Sequence, residues 1–180
     1  TAFAFPSDDF AVAALLNSKA IWFVFRTLPP LARGGYSRMK AQYVGQLPIP
    51  DMPGQIRDEL RETARAAQFA AEVRLKLQAA LTRRIPDLCP PEREPKLTTK
   101  LKEWWTMPDF AAFRAEVKKA FKADIPLSER SDWEDWITRD RAEIARLTAE
   151  IAQAEAKIDG IVYDLFDLTP DEIALLESVV

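Results

Sequence analysis

The chain has 180 residues, 25 basic and 28 acidic side chains for a net charge of −3, and an apolar fraction of 48%. That is enough apolar material for the core of one domain or two small ones, and it excludes global disorder. There is no histidine and a single cysteine, which excludes a Ser-His-Asp triad, a histidine base, a histidine-ligated metal, an internal disulfide and a thiolate cluster.

The first residues, Ala2-Phe-Ala-Phe5, read like the middle of a strand, and with Thr1 in first place the chain reads as a piece of something longer. Ser7 is a candidate N-cap for a helix that carries Phe10, Leu15, Leu16, Lys19 and Trp22 and ends near Arg26. Residues 27–43 hold two prolines and two glycines and read as loop, with at most a short helix around Met39–Val44. Gln46-Leu-Pro-Ile-Pro50 is expected to be extended, because each proline pushes its predecessor out of the α region. Residues 55–84 have no Pro or Gly and an apolar stripe through Ile56, Leu60, Ala67, Phe69, Val73, Leu77 and Leu81, which predicts one helix.

Four prolines break the pattern between Ile85 and Pro95. A lobe of shorter helices over about 96–123 follows, with Leu97, Leu101 and Trp104 on one and Phe110, Phe113, Val117 and Phe121 on the next. Thr106 with Asp109, Ser131 with Glu134, and Thr169 with Glu172 have the spacing of capping boxes. The second of these opens the longest predicted helix, about 131–166, with Ile137, Asp140, Ile144, Leu147, Ile151, Ala154, Ile158, Ile161 and Leu165 at three-and-four spacing, Asp140 being the one polar interruption. The third opens a short helix over about 170–178. The long seam can pair between chains or with residues 55–84 of the same chain; the comparable length of those two helices makes an antiparallel pair the simplest arrangement.

Charge is unevenly spread. From Phe10 to Pro50 there is no Asp or Glu, while Lys19, Arg26, Arg33, Arg38 and Lys40 supply five cations; residues 51–180 carry 20 basic and 26 acidic residues. Arg33, Arg38 and Lys40 can neutralise phosphates, Tyr36 can stack or wedge, and Gly34 and Gly35 allow close backbone approach. The bland reading of the segment is a solvated turn that happens to lack acids. Pro108-Asp109 with Glu116-Val117-Lys118 spells the letters of a metal-dependent nuclease signature. That chemistry needs adjacent strands; here Asp109 caps a helix, and Glu116 and Lys118 read as its exposed face. The tryptophans at 104, 105, 133 and 136 read as core near helix ends, and Cys89, beside Pro90-Pro91, as incidental. One cysteine also fits a reducing cytosol.

Three segments together resemble a known family. Ala14-Leu-Leu-Asn-Ser-Lys19, then Arg33-Gly-Gly-Tyr-Ser-Arg-Met-Lys40 leading to Gln46-Leu-Pro-Ile-Pro50, and Lys157-Ile-Asp-Gly-Ile-Val-Tyr-Asp-Leu-Phe-Asp-Leu-Thr-Pro-Asp-Glu-Ile173 are similar to the C-terminal specificity region of type IIG restriction–modification enzymes and TaqI-like adenine-specific DNA methyltransferases. The resemblance implies a mainly α chain: residues 1–53 as the end of a small α/β DNA target-recognition domain, and residues 54–180 as a helical spacer built on a long antiparallel hairpin with an inserted helical lobe. It implies a cytoplasmic protein that binds double-stranded DNA through Arg33, Gly34, Gly35, Tyr36, Arg38 and Lys40, with Lys19 and Arg26; no membrane partner is expected, because no apolar run reaches the roughly 18–20 residues of a membrane span.

The family's Asn-Pro-Pro-Tyr/Phe motif is absent, since Asn17 is the only asparagine, and no glycine-rich S-adenosylmethionine loop is present. The chain alone is therefore expected to bind no cofactor and to catalyse nothing. S-adenosylmethionine, methyl transfer and any fused endonuclease are implied for an upstream methyltransferase domain. The alternative is a helical docking module that contacts the catalytic domain or a partner subunit and barely touches DNA; the net −6 of residues 51–180 favours it for the spacer.

Overall fold

A computed structural model of the chain describes residues 9–28 and 41–179, with Ala41 described for its backbone only. Among these residues all regular structure is helical. Helices α1 (Phe10–Asn17), α2 (Lys19–Thr27), α3 (Ala41–Val44), α4 (Gly54–Thr82), α5 (Thr99–Lys102), α6 (Phe110–Phe121), α7 (Arg130–Leu165) and α8 (Pro170–Val179) follow each other in chain order, with 3-10 turns at Ile85–Leu88, Trp104–Thr106 and Leu127–Glu129. Ala2–Phe5 and Ser7 lie outside the described residues. The chain divides into two compact units: unit 1 is Thr1–Gln68 with Ile151–Val180, and unit 2 is Phe69–Glu150.

In unit 1 the helix expected to run unbroken to Arg26 is two helices, bent by 60°. Ser18 makes the break. Its backbone is extended (φ −69°, ψ 153°), so it ends α1 and caps α2. Its hydroxyl donates to the Leu15 carbonyl at 2.7 Å and accepts from the Ile21 amide at 3.4 Å. A short hydroxyl that satisfies its own backbone offers the chain an alternative to continuing the helix. At the other end of α1 the cap is Asp9, not the expected Ser7; it accepts from the Ala11 amide at 3.0 Å and pairs with Arg57 of α4.

Ala11, Leu15 and Ile21 are buried with Leu60 of α4, Ile158, Val162 and Tyr163 of α7, and Leu176 of α8. Lys157 bridges Glu59 at 2.8 Å beside this core. No single described helix is long and apolar enough to cross a membrane; α1 and α2 would be so only together, and their apolar residues fill this core instead.

The end of α7 is a Schellman turn. Asp167 takes a positive φ of 50°, its amide donates to Asp164, and the Leu168 amide reaches back to the Tyr163 carbonyl, both at 3.1 Å. The chain then enters α8 through the expected capping box: Glu172 accepts from the backbone and hydroxyl of Thr169, each at 2.8 Å, and the Thr169 hydroxyl accepts from the Glu172 amide at 3.4 Å.

Unit 2 is built around aromatics. Trp104, Phe113, Phe121, Leu101, Ile125 and Ile137 have almost no exposed surface. Phe113 stacks on Trp133 with centroids 6.0 Å apart, and the Trp104 indole donates to the Gln78 carbonyl of α4 at 3.2 Å. Leu81 of α4 shares the core with Ile137 and Ile144 of α7. The tryptophans at 104 and 133 are core, as their spacing indicates.

Two capping expectations are corrected. Asp109 alone caps α6, accepting from Ala112 at 2.7 Å, while the Thr106 hydroxyl turns back to the Glu103 carbonyl. α7 starts at Arg130, directly out of the Leu127–Glu129 turn, so Ser131 lies within its first turn rather than ahead of it.

Asp124 ties the entry of α7 to α6. Arg114 donates to both its oxygens (2.7 and 2.6 Å), Arg130 approaches to 3.2 Å, and the Ile125 amide donates at 2.9 Å. The Arg114 hydrogen bonds, more than any other neighbour, hold this carboxyl far below its ordinary value of 3.8. A depressed folded pKa stabilises the fold above the unfolded value and loses that contribution as pH falls below it. Acid melts should therefore show Asp124→Asn with a flatter decline below about pH 4 than the parent chain. Parallel declines would sever Asp124 from the acid sensitivity of unit 2.

Candidate nucleic-acid interface

The core of the expected DNA-binding segment, Arg33, Gly34, Gly35, Tyr36, Arg38 and Lys40, lies outside the described residues. The structure places the other two candidates, Lys19 and Arg26, both on α2 of unit 1.

Lys19 is the first residue of α2, where the backbone N–H groups of a helix lack intrahelical acceptors. Its amide donates to the Asp159 carboxylate at 2.9 Å, across 140 residues of sequence. Its ammonium donates to Glu177 of α8 at 2.6 Å and stands 3.8 Å from the second Asp159 oxygen. Glu177 also accepts from the Tyr163 hydroxyl at 2.7 Å. Two carboxylates, one ammonium and one phenol thus close a network between α2, α7 and α8.

Each member is tuned by its surroundings. The Glu177 hydrogen bond, ahead of other causes, raises Lys19 above its ordinary value. Lys19 and then Tyr163 lower Glu177. Burial raises Asp159 despite the cation beside it, and burial also raises the Tyr163 phenol. Asp159 is 6% exposed, and among the described residues the α2 amide and Lys19 offset its lost hydration.

Arg26, in the last turn of α2, donates to the Val179 carbonyl at 2.5 Å and is exposed. The acid-free stretch is therefore less positive in space than along the chain: acids from 140 and 158 positions away reach Lys19. The sequence reading missed Asp159, Tyr163 and Glu177 as Lys19's partners. The available signal was that Leu15-Leu-Asn-Ser-Lys19 and Ile158-Asp-Gly-Ile-Val-Tyr163 both stood out as motifs, and the structure brings them together.

The nuclease-like letters do not assemble into a site. Asp109 caps α6, and Glu116, read from the sequence as exposed, is 8% exposed and accepts from the Thr98 hydroxyl at 2.9 Å. Its partner lies on another element, which helix periodicity cannot reveal. Among the described residues no group of three or more Asp, Glu, Cys or His side chains is placed to hold a metal ion. The Cys89 thiol donates to the Arg93 carbonyl at 3.7 Å. Unit 1 also has an apolar cleft of about 400 Å³ between α2 and α8, lined by Ile21, Val24, Pro48, Phe166, Leu168 and Leu176.

These features define an all-helical protein, over the described residues, with two compact units and, in the first, a polar network between segments distant in sequence. The chain belongs to the family described as a domain of unknown function (DUF8810), whose profile matches residues 53–162. No curated protein and no solved structure matches the chain significantly.

Proposed function

We propose that the chain is a DNA-binding specificity region that positions a duplex for a cytoplasmic adenine methyltransferase domain, of the restriction–modification kind, encoded outside residues 1–180. The observation that carries this reading is the contact between two of its three motif segments. Lys19, from the first motif, is held by Asp159 and Glu177, and Asp159 and Tyr163 come from the last motif. Segments that belong together by resemblance also form one physical unit. That unit holds α2, from which the chain runs into the basic segment 33–40.

In this reading S-adenosylmethionine belongs to the upstream domain, residues 1–53 end an α/β recognition domain, and α4 and α7 form an antiparallel hairpin with the α5–α6 lobe inserted. Leu60 packs with Ile158 and Val162, while Leu81 packs with Ile137 and Ile144, which supports that order. A docking module remains the second reading. The observation in its favour is that Lys19 already has its carboxylates, which leaves fewer cations for phosphate.

The test is fluorescence anisotropy with a duplex that carries the parent enzyme's site. Arg33, Arg38 and Lys40 act as position-fixing phosphate contacts, so each one lost lowers the log–log salt slope by about 0.9 and weakens binding on every sequence alike. Tyr36→Ala costs affinity without changing the slope, because stacking releases no counterion. Identical binding by the parent and the Arg33/Arg38/Lys40 triple alanine variant, or none by either, moves the assignment to the docking module.

A further inference from the structure

Residues 51–180 are acidic as a whole, but the charge within them is segregated. Residues 96–122 hold seven basic residues against Glu103, Asp109 and Glu116, a net of +4. The remainder of 51–180 is then −10. This basic stretch is the α5–α6 lobe of unit 2.

The fold gives two of these three carboxylates, Glu116 and Asp109, a local partner. Glu116 is buried against Thr98, with Lys119 at 3.9 Å; Asp109 is spent on the cap of α6; and the following acid, Asp124, is held by Arg114 and Arg130. Glu103 and Asp109 are the exposed carboxylates of the stretch. The cations are treated in the opposite way. α5 buries Leu101 completely, and Lys100 and Lys102 on either side of it are exposed. α6 buries Phe113, Val117 and Phe121, while Lys118 is exposed and Lys122 follows, exposed, in the left-handed conformation that ends the helix. None of Lys100, Lys102, Lys118 and Lys122 has an ion pair among the described residues.

Cations in a last turn do complement the helix dipole. That role alone does not explain their concentration here, because α7 and α8 end without any basic residue in the last turn. Four unpaired ammonium groups on two helices that pack together make a surface suited to a phosphate backbone, since each phosphate neutralised releases a condensed counterion.

We infer that the α5–α6 lobe is a second duplex-DNA contact surface, with Lys100, Lys102, Lys118 and Lys122 binding backbone phosphates without reading bases. The inference rests on the proposed DNA ligand but not on the segment 33–40. It also places a DNA contact within the spacer, whose overall charge argued against one.

The experiment measures anisotropy of a labelled duplex against salt for three chains: the parent, the Lys100/Lys102/Lys118/Lys122→Gln variant, and the Arg33/Arg38/Lys40→Ala variant. The lysine variant should keep the parent's circular dichroism and melting temperature, because all four positions are exposed. Its salt slope should be shallower by roughly 3 to 4, at about 0.9 per contact, and the same four lysines changed to arginine should restore it. A lysine variant with the parent's slope overturns the inference, whichever way the other variant behaves, and leaves an acidic protein surface as the lobe's counterpart. Loss of slope in the lysine variant with full binding by the Arg33/Arg38/Lys40 variant supports the lobe and overturns the role proposed for segment 33–40. Salt-insensitive or absent binding by the parent overturns both.

Discussion

Ile137→Asp should unfold unit 2. Ile137 is 1% exposed in α7 and shares a core with Phe113, Trp133 and Leu81. An aspartate there has two routes, and both are costly: to remain charged without water, or to bind a proton and stay polar among aromatics. Loss of the buried aliphatic side chain adds its own transfer and cavity contributions. The sum should be roughly 4 kcal/mol or more, a large share of the stability of a domain this size. Leu127→Asp is the matched control. Leu127 is 79% exposed in the turn before α7, and the same substitution there should cost within about 0.5 kcal/mol. Urea titration followed by tryptophan fluorescence separates the two, since Trp104 and Trp133 report on this core. Similar midpoints for both variants would mean that α7 does not hold unit 2 together.

The second large effect is expected at Asp159. Asp159→Ala removes the acceptor of the Lys19 amide, opens a gap at the start of α2 and leaves the Lys19 ammonium with Glu177 alone. A hydrogen bond to a charged group contributes about 1.5–3 kcal/mol, and the loss should fall in that range. Asp159→Asn should cost much less. It keeps an oxygen for the amide and removes a charge that burial already disfavours, as the raised pKa of the carboxyl indicates. Melting temperatures in the order parent, asparagine, alanine are the expected result. If asparagine and alanine are equally damaging, the negative charge at the start of α2 matters more than the hydrogen bond.

Local rules read the long helices well. α4 and α7 were legible because each carries an apolar stripe over many turns with no interior proline. The start of α8 was legible because Thr169, Pro170 and Glu172 encode a cap within four residues. The break at Ser18 was not. Leu15, Leu16, Ile21 and Phe25 keep an apolar character straight through it, and only the hydroxyl's bonds to Leu15 and Ile21 decide that the helix ends. Glu116 was misplaced because its burial depends on Thr98, on a different element.

The candidate interface was half legible for a similar reason. A census of charge along residues 10–50 finds no acid, yet it cannot see Asp159 and Glu177 arriving from the far end of the chain. The same census averaged over residues 51–180 concealed the basic lobe, because acids elsewhere in that span outweigh it.

The discontinuity of unit 1 sets an order of events during synthesis. Lys19 leaves the ribosome 140 residues ahead of Asp159. At about 5–20 residues per second that is a wait of roughly 7–28 s. Through that interval α2 has no carboxylate at its first amide, and Ala11, Leu15 and Ile21 have no Val162 or Leu176 to cover them. Unit 2 is continuous from Phe69 to Glu150, so it can close while unit 1 is still waiting. Until residues 151–180 are made, the nascent chain therefore presents a folded stretch over 69–150 beside uncovered apolar faces of α1 and α2, and those two helices are where a chaperone that holds emerging chains should be found.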